Sequence, residues 1–228
     1  YNVAKIKSNF RSRFRQSFRQ ANLQPGKQDY TGNQFLSIER KFRGNRRKVL
    51  AYLGLGSNHG DRVGFIQQAV QLLKDIRQIE VLECSSLYET EPLGDEYTRD
   101  QWFVNAVAII ETSFSAEELL DVLSDIEARL TEMHKSELPG NTRDRPGRMR
   151  IIDLDILLYG DEVLETSQIN IPHPRLHLRA FALVPLLELK PELMHPVLRK
   201  PVAQIHEELP APEQVFLYGT RRSNENQD

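Results

Sequence analysis

Two aspartates, Asp153 and Asp155, interrupt a short apolar segment and are the side chains best placed for metal chemistry. Alternate residues of a β-strand share a face, so both carboxylates point the same way, about 7 Å apart at Cα. Two such neighbours repel each other unless a cation lies between them. Mg²⁺ is the natural candidate, because it accepts one or two carboxylates and completes its shell with water and phosphate oxygens. The pattern alone also allows a solvent-facing edge strand with two incidental acids. The apolar residues that should point into the core are Ile152, Leu154, Ile156 and Leu158.

Basic side chains on both sides of this segment indicate a polyphosphate ligand. Guanidinium groups bind phosphate oxygens with paired hydrogen bonds, while carboxylates hold the accompanying metal. The histidines do not indicate zinc, since no cysteine pair and no H-E-x-x-H spacing accompany them. The upstream group is Arg143, Arg145, Arg148 and Arg150, and the downstream group is His173, Arg175, His177 and Arg179.

The glycines of residues 54–60, which read G-L-G-S-N-H-G, do not form a standard nucleotide-binding motif. Their spacing differs from G-x-G-x-x-G, and no suitable acidic residue closes a second strand about 20 residues later. No G-x-x-x-x-G-K-[ST] occurs in the chain, so a P-loop is excluded. We therefore predict a tight turn from a strand into a helix here.

Strands and helices alternate irregularly around these motifs, which favours an α+β sheet with helices packed on it. Ser115 followed by Glu118 is a capping box and should begin a helix. Residues 134–149 are polar and rich in Gly, Pro and Arg, so we predict a long functional loop. The predicted strands are 49–55, 79–88, 103–111, 150–159 and 162–171, and the other predicted helices are 62–77 and 178–189.

The charge distribution divides the chain. Residues 1–48 carry 13 Lys and Arg against 2 acids, a net charge of +11, and the rest carries 17 basic and 30 acidic residues, a net of −13. We predict a basic extension at 1–48, a catalytic domain at 49–219 and a polar tail at 220–228. Phe10, Phe14 and Phe18 share helical spacing, so the extension is either a solvated, flexible segment or a basic helix for RNA, a membrane surface or organelle import.

The cellular context expected from the sequence is the cytoplasm, or an organelle if residues 1–48 are a targeting segment. No apolar run approaches the roughly 20 residues that a membrane-spanning helix needs. Cys84 has no second cysteine to pair with, which fits a reducing compartment and a structural thiol in a strand. We expect a monomer with no membrane and no nucleic-acid partner.

Several separated motifs, in order, resemble the 6-hydroxymethyl-7,8-dihydropterin pyrophosphokinase family over residues 49–219. The resemblance implies a ferredoxin-like α+β fold, an αβα sandwich around a mainly antiparallel sheet. The implied reaction is attack of the substrate hydroxymethyl oxygen on the β-phosphorus of ATP, with release of AMP, in folate biosynthesis. The matching stretches are 56–58 (G-S-N), 88–94 (Y-E-T-E-P-L-G), 103–106 (F-V-N-A), 126–127 (I-E), 150–157 (R-I-I-D-L-D-I-L), 172–173 (P-H) and 179–181 (R-A-F).

The resemblance also implies roles for individual residues. Asp153 and Asp155 would bind two Mg²⁺ ions that bridge the ATP phosphates, and Arg150 and Arg148 would assist catalysis. Phe103 and Phe181 would sandwich a flat heterocycle, and Asn105 would read its amide-like edge. The implied ATP-binding residues are Glu127, Arg150, Ile156, His173 and Arg179, and the implied pterin-binding residues are Thr90, Leu93, Phe103, Asn105 and Phe181.

The chain departs from the family pattern before the aspartates. The family usually has R-W-G-P-R there, whereas residues 145–150 read R-P-G-R-M-R and Trp102 lies elsewhere. The resemblance therefore leaves open which of Arg143, Arg145 and Arg148 is the second catalytic-loop arginine. Pro174 also stands where the family usually has a tyrosine.

Two other functions remain open at this stage. A nucleotidyltransferase also pairs aspartates with Mg²⁺ but releases pyrophosphate instead of AMP. An RNA-binding module driven by residues 1–48 would bind nucleic acid without turnover.

Overall fold

The computed structural model describes residues 47–92, 102–138 and 150–219, all of which belong to the unit that runs from Gly44 to Asp228. The predictions for residues 1–46, for Leu93, for Arg143, Arg145 and Arg148, and for most of the loop at 134–149 lie outside these ranges. The strands are β1 (Val49–Ser57), β2 (Ile79–Cys84), β3 (Tyr88–Thr90), β4 (Phe103–Thr112), β5 (Asp153–Tyr159), β6 (Leu164–Glu165), β7 (Asn170–Ile171) and β8 (Val215–Leu217). The α-helices are α1 (Arg62–Lys74), α2 (Ala116–Met133), α3 (Ala180–Leu189) and α4 (Val202–Glu207), and short 3-10 helices lie at Lys135–Glu137 and Leu176–Leu178.

The main sheet has the strand order β5-β1-β4-β3-β8, with β2 also paired to β4, and every pairing among the described strands is antiparallel. β1 therefore lies between β4, the central strand, and β5 at one edge of the sheet. With β1-α1-β2 and β4-α2-β5 as its two crossover units, this is the split arrangement of a ferredoxin-like fold. The predicted fold is confirmed.

Helices cover both faces of the sheet. Successive residues of β4 from Val104 to Ile110 are all buried, which requires a layer on each side, because neighbouring strand residues face opposite ways. α1 and α2 pack together against the sheet, and α3 packs against β4 and α4. One core cluster joins Val107, Ile109 and Leu157 of the sheet to Leu183 and Leu186 of α3. The layering is therefore αβα.

The predicted capping box at Ser115 is confirmed. The Ser115 hydroxyl accepts a hydrogen bond from the Glu118 amide, and the Glu118 carboxylate accepts one from the Ser115 amide at 2.7 Å. Each bond satisfies an amide that the first helical turn leaves without a partner. The most buried side chains of α2 include Leu119, Leu123 and Leu130.

Two predicted strands are wrong in extent. Residues 79–88 form two strands, because the chain breaks at Ser85, whose hydroxyl accepts a hydrogen bond from the Val107 amide at 2.9 Å. Residues 162–171 form a small hairpin of β6 and β7, since the Thr166 hydroxyl accepts bonds from the amides of Gln168 and Ile169 and turns the chain. Hydrophobicity alone does not reveal either break.

A carboxylate on α3 ties that helix to β3. Glu188 accepts hydrogen bonds from the Ser86 amide at 2.8 Å, the Ser86 hydroxyl at 2.9 Å and the Tyr88 hydroxyl at 2.9 Å. The C-terminal end of α3 is thereby fixed to the segment that leads into β3. No helix within the described ranges is long and apolar enough to cross a membrane.

Candidate active site

Gly56 of β1 lies between the two groups of predicted site residues. The strand register places Gly56 opposite Asp153 on β5 and opposite Asn105 on β4, and paired residues share a face. A methyl group added to Gly56 would lie 2.7 Å from the Asn105 side-chain oxygen and 4.0 Å from the Asp153 Cβ. The absence of a side chain here thus lets the acidic pair and the predicted pterin residue approach each other.

The two aspartates are the partly exposed residues of an otherwise buried strand. Their side chains are 34% exposed in Asp153 and 39% exposed in Asp155, whereas the other residues of β5 are buried. Burial, followed by the negative charge of Asp155, raises the pKa of Asp153. Burial and the neighbouring negative charge disfavour the charged form of Asp153, and a cation bound beside the two carboxylates would stabilise that form.

The donor set fits Mg²⁺. No cluster of three or more His, Cys, Asp and Glu side chains forms within the described ranges, so the protein offers the two aspartates rather than a complete cage. Mg²⁺ commonly binds one or two carboxylates and takes its remaining ligands from water and substrate phosphates. Asp153 and Asp155 are therefore suited to a metal that arrives with a nucleotide.

The Gly-Ser-Asn segment at the end of β1 positions Arg150. The Asn58 side-chain oxygen accepts a hydrogen bond from the Arg150 amide at 2.7 Å, and the Asn58 amide donates to the Arg150 carbonyl at 3.2 Å. The Arg150 guanidinium forms an ion pair with Asp153 and remains 44% exposed. A motif with no nucleotide-binding spacing thus holds a predicted phosphate-binding arginine beside the acidic pair.

His173 and Arg179 lie on the other side of Asp155. An Arg179 guanidinium nitrogen is 3.7 Å from an Asp155 carboxylate oxygen and 3.3 Å from the His173 Nε2. Burial, and then the charges of Arg179 and Arg175, lowers the pKa of His173 to about 4. His173 is therefore neutral at physiological pH, and its 3.9 Å contact with Asp155 is not an ion pair. The buried Nε of Arg179 has no hydrogen-bond partner among the described groups, as expected of a site that awaits an anionic ligand.

Glu127 reaches the acidic pair from α2. Its carboxylate accepts a hydrogen bond from the Leu154 amide at 2.6 Å, between the two aspartates. Burial raises the pKa of Glu127 to about 7, and the charges of Asp153 and Asp155 act in the same direction. The Leu154 bond and Arg150 oppose that shift.

Three of the predicted pterin residues, Thr90, Phe103 and Asn105, lie where β3 pairs with β4. The Asn105 amide nitrogen donates a 2.6 Å hydrogen bond to the Thr90 hydroxyl, and both side chains are buried. Phe103 begins β4 opposite Thr90, and the Phe181 ring lies 5.2 Å from the Arg179 guanidinium carbon. The Ile156 side chain is buried, and strand alternation turns it away from the face of the two acids. The roles assigned to these residues stay predictions.

Residues 52–191 match the model of the family described as 7,8-dihydro-6-hydroxymethylpterin-pyrophosphokinase. The 2-amino-4-hydroxy-6-hydroxymethyldihydropteridine pyrophosphokinase of Bacillus subtilis is 41% identical over 140 residues, which are 61% of this chain and 77% of that protein. The Aquifex aeolicus protein of the same name is 39% identical over 157 residues, which are 69% of this chain and 90% of that protein.

The chain belongs to this pyrophosphokinase family. The sequence predictions of the family, and of pyrophosphoryl transfer to a hydroxymethyldihydropterin in folate synthesis, are therefore confirmed for the matched domain.

This chain also has much longer relatives. The folic acid synthesis protein fol1 of Schizosaccharomyces pombe is 41% identical over 172 residues, which are 75% of this chain and only 22% of that protein. A solved HPPK-DHPS structure from Plasmodium falciparum superposes with a TM-score of 0.53 at 17% identity, covering 72% of this chain and 44% of that one. At that identity the likeness supports the fold alone.

The contacts of two side chains near the site, Arg62 and Glu213, were not predicted from the sequence. Arg62 at the start of α1 forms a 3.1 Å ion pair with Glu89 and donates a 2.6 Å hydrogen bond to the Trp102 carbonyl. It thereby joins the end of β3 to the start of β4. Glu213 accepts a hydrogen bond from the Phe181 amide. Both contacts join residues far apart in sequence, so no local pattern indicates them.

Glu127→Gln should stabilise the metal-free protein at high pH. The folded protein holds the Glu127 proton up to about pH 7, while the unfolded chain releases it near the ordinary value of 4.5. The free energy of unfolding of the wild type therefore falls as pH rises between these two values. Above pH 7 the full free-energy cost of the ionised Glu127 carboxylate in the folded protein is present. Because solvent screens the partly open carboxyl, we expect a gain of about 1 kcal/mol, or about 2–4 °C in Tm, at pH 8.

Thermal unfolding in EDTA at pH 5 and pH 8 tests this expectation. Asp125→Asn, on the exposed side of the same helix, serves as the control. The expected difference between Glu127→Gln and wild type is small at pH 5 and positive at pH 8. An equal Tm difference at the two pH values would contradict the raised pKa.

Proposed function

We propose that this chain binds Mg-ATP and 6-hydroxymethyl-7,8-dihydropterin side by side and transfers the pyrophosphate group between them. The observation that carries the proposal is the position of Gly56, which separates the acidic pair on β5 from Asn105 on β4 by the width of one strand. Neighbouring strands in a sheet lie about 4.8 Å apart, so β4 and β5 are about 10 Å apart across β1. Two ligands bound above these strands would therefore meet over Gly56.

The nucleotide would be bound by the residues around β5. Asp153 and Asp155 would hold Mg²⁺, which would supply charge neutralisation at the phosphates. Arg150 and Arg179 would bind phosphate oxygens on the two sides of the pair. The Nδ1 of neutral His173 accepts a hydrogen bond from the Arg175 amide, so its Nε2 carries the proton and would donate one further hydrogen bond. The number of metal ions is proposed to be two.

The pterin would be bound by Asn105 and Thr90 at its heteroatom edge and by Phe103 and Phe181 at its faces. Asn105 is suited to this because an amide both donates and accepts, and because its hydrogen bond to Thr90 fixes its orientation. Burial of Asn105 and Thr90 also removes competing water. A substrate that matches this pattern replaces lost hydration with protein hydrogen bonds.

In the proposed reaction the hydroxymethyl oxygen attacks the β-phosphorus of ATP. A new oxygen–phosphorus bond forms, the bond between the β-phosphorus and the oxygen that bridges to the α-phosphorus breaks, and AMP leaves with that oxygen. The hydroxyl proton passes to solvent. The residues of the chain bind, align and neutralise charge, and none of them forms a covalent intermediate.

A product assay tests the reaction. We expect the protein with Mg-ATP and 6-hydroxymethyl-7,8-dihydropterin to form AMP and the pterin pyrophosphate in equal amounts, and to form neither without added divalent cation. Formation of inorganic pyrophosphate with a nucleotidylated pterin would indicate a nucleotidyltransferase and overturn the proposal.

We also propose that residues 1–48 are an extension outside the catalytic domain and that the chain acts as a cytoplasmic monomer. The start of β1 at Val49 and the start of the family match at residue 52 support the first part.

A further inference from the structure

The C-terminal segment of the described chain takes part in the site, although it lies beyond residues 52–191 that match the family. β8 pairs with β3 in antiparallel register, with Val215 opposite Thr90. Just before β8, the Gln214 carbonyl accepts a hydrogen bond from the Glu91 amide at 3.0 Å. The segment is therefore fixed to the strand that carries Thr90.

Glu213, the next residue toward the N-terminus, contacts the opposite side of the site. Its carboxylate accepts a hydrogen bond from the Phe181 amide at 2.7 Å. Phe181 is the second residue of α3, and its amide is one of those that a helix leaves without an internal partner. The Glu213 carboxylate is thus a helix cap supplied from a distant part of the chain.

α3 has no cap of its own. Arg179 occupies the N-cap position and makes no side-chain capping bond, whereas the N-terminal residues of α1 and α2 are capped by Asp61 and Ser115. A carboxylate at this position also interacts favourably with the partial positive charge of the helix N-terminus. Glu213 therefore gives α3 the N-terminal capping hydrogen bond that Asp61 gives α1 and Ser115 gives α2.

The same carboxylate acts on Arg179. The negative charges of Asp155 and Glu213 both favour the charged form of the Arg179 guanidinium, against the effect of burial. The Arg179 guanidinium carbon lies 5.2 Å from the Phe181 ring. One side chain thus influences a residue proposed for ATP and a residue proposed for the pterin.

We infer that Glu213 is a positioning residue of this pyrophosphokinase, which holds Phe181 and Arg179 in place relative to Thr90 by capping α3 from the segment before β8. The inference rests on the proposed function, because it assigns Glu213 to the two substrate sites described above. Glu213 itself need not touch either substrate. Its carboxylate acts through the Phe181 amide and through the field at Arg179.

Three variants separate these two actions. Glu213→Ala removes the cap and the charge, and should raise the Kd of the pterin, measured by fluorescence, about tenfold and lower kcat. Glu213→Gln keeps a neutral acceptor for the Phe181 amide, so the pterin Kd should return to within about threefold of wild type while kcat stays reduced. Glu207→Ala removes an exposed acid of α4 and should change neither quantity.

Two further measurements exclude a merely structural effect. Hydrogen exchange at the Phe181 amide should quicken in Glu213→Ala and stay slow in Glu213→Gln. Glu188→Ala removes the carboxylate that ties the other end of α3, and should lower Tm without the same selective loss of pterin affinity.

The inference is overturned if Glu213→Ala binds the pterin within twofold of wild type, or if Glu213→Gln is as damaged in pterin affinity as Glu213→Ala. It is also overturned if Glu188→Ala and Glu213→Ala have the same Tm and show the same loss of pterin affinity. Failure of the proposed function gives a different result, namely a wild-type protein that binds no pterin and forms no AMP.

Discussion

Asp153→Ala should lower kcat by about 10³-fold or more while leaving the metal-free protein at least as stable as wild type. Asp153 is a partly exposed residue of an otherwise buried strand and lies beside Asp155, and burial with that neighbouring charge raises its pKa. Removing it relieves repulsion in the free protein but removes a ligand for the proposed metal. A loss of about 4 kcal/mol in transition-state stabilisation corresponds to that factor.

A variant that simply unfolds loses both activity and stability. Asp153→Ala should lose activity while its Tm in EDTA stays the same or rises. The measurements are AMP formation at saturating Mg²⁺ and thermal unfolding in EDTA. Asp161→Ala, an exposed acid just after β5, is the matched control and should leave both unchanged. Near-normal turnover of Asp153→Ala at saturating Mg²⁺ would refute the metal assignment.

Gly56→Ala should raise the Kd of the pterin by about 10- to 100-fold. The added methyl would lie 2.7 Å from the Asn105 side-chain oxygen, so the Asn105 side chain must move and its hydrogen bond to Thr90 must be strained or lost. The loss of a buried polar partner costs about 1–3 kcal/mol, which corresponds to this range. The nearest Asp153 atom would be at 4.0 Å, an ordinary contact, so nucleotide binding should change less.

A double-mutant comparison isolates the cause. Asn105→Ala removes the side-chain oxygen with which the new methyl group at residue 56 would collide. Adding Gly56→Ala to Asn105→Ala should therefore have little further effect on pterin binding. Gly54→Ala is the matched control, since the nearest atoms to its methyl belong to the Leu157 side chain, at 3.3 Å, and not to Asn105. Pterin binding by fluorescence checks all of these variants. Additive effects of Gly56→Ala and Asn105→Ala would show that the predicted clash does not operate.

Local patterns were enough for much of the architecture. Ser115 and Glu118 are three residues apart, and their mutual hydrogen bonds form in any helix that begins there. The alternation around Asp153 and Asp155 decides that both carboxylates share a face, whatever the strand pairs with. By contrast, hydrophobicity predicted one strand over residues 162–171, where the Thr166 side chain turns the chain into a hairpin.

By itself, the sequence therefore determined the family, the elements with strong periodicity and the residue types of the site, because each depends on neighbours a few positions apart. Only the tertiary structure decided that Gly56 lies between Asp153 and Asn105, that Asn58 holds Arg150, and that Glu213 caps α3. Asn105, Arg150 and Glu213 lie far along the chain from the residues they meet. Such contacts form only when the sheet register and the helix packing bring distant segments together, and local propensity carries no information about either.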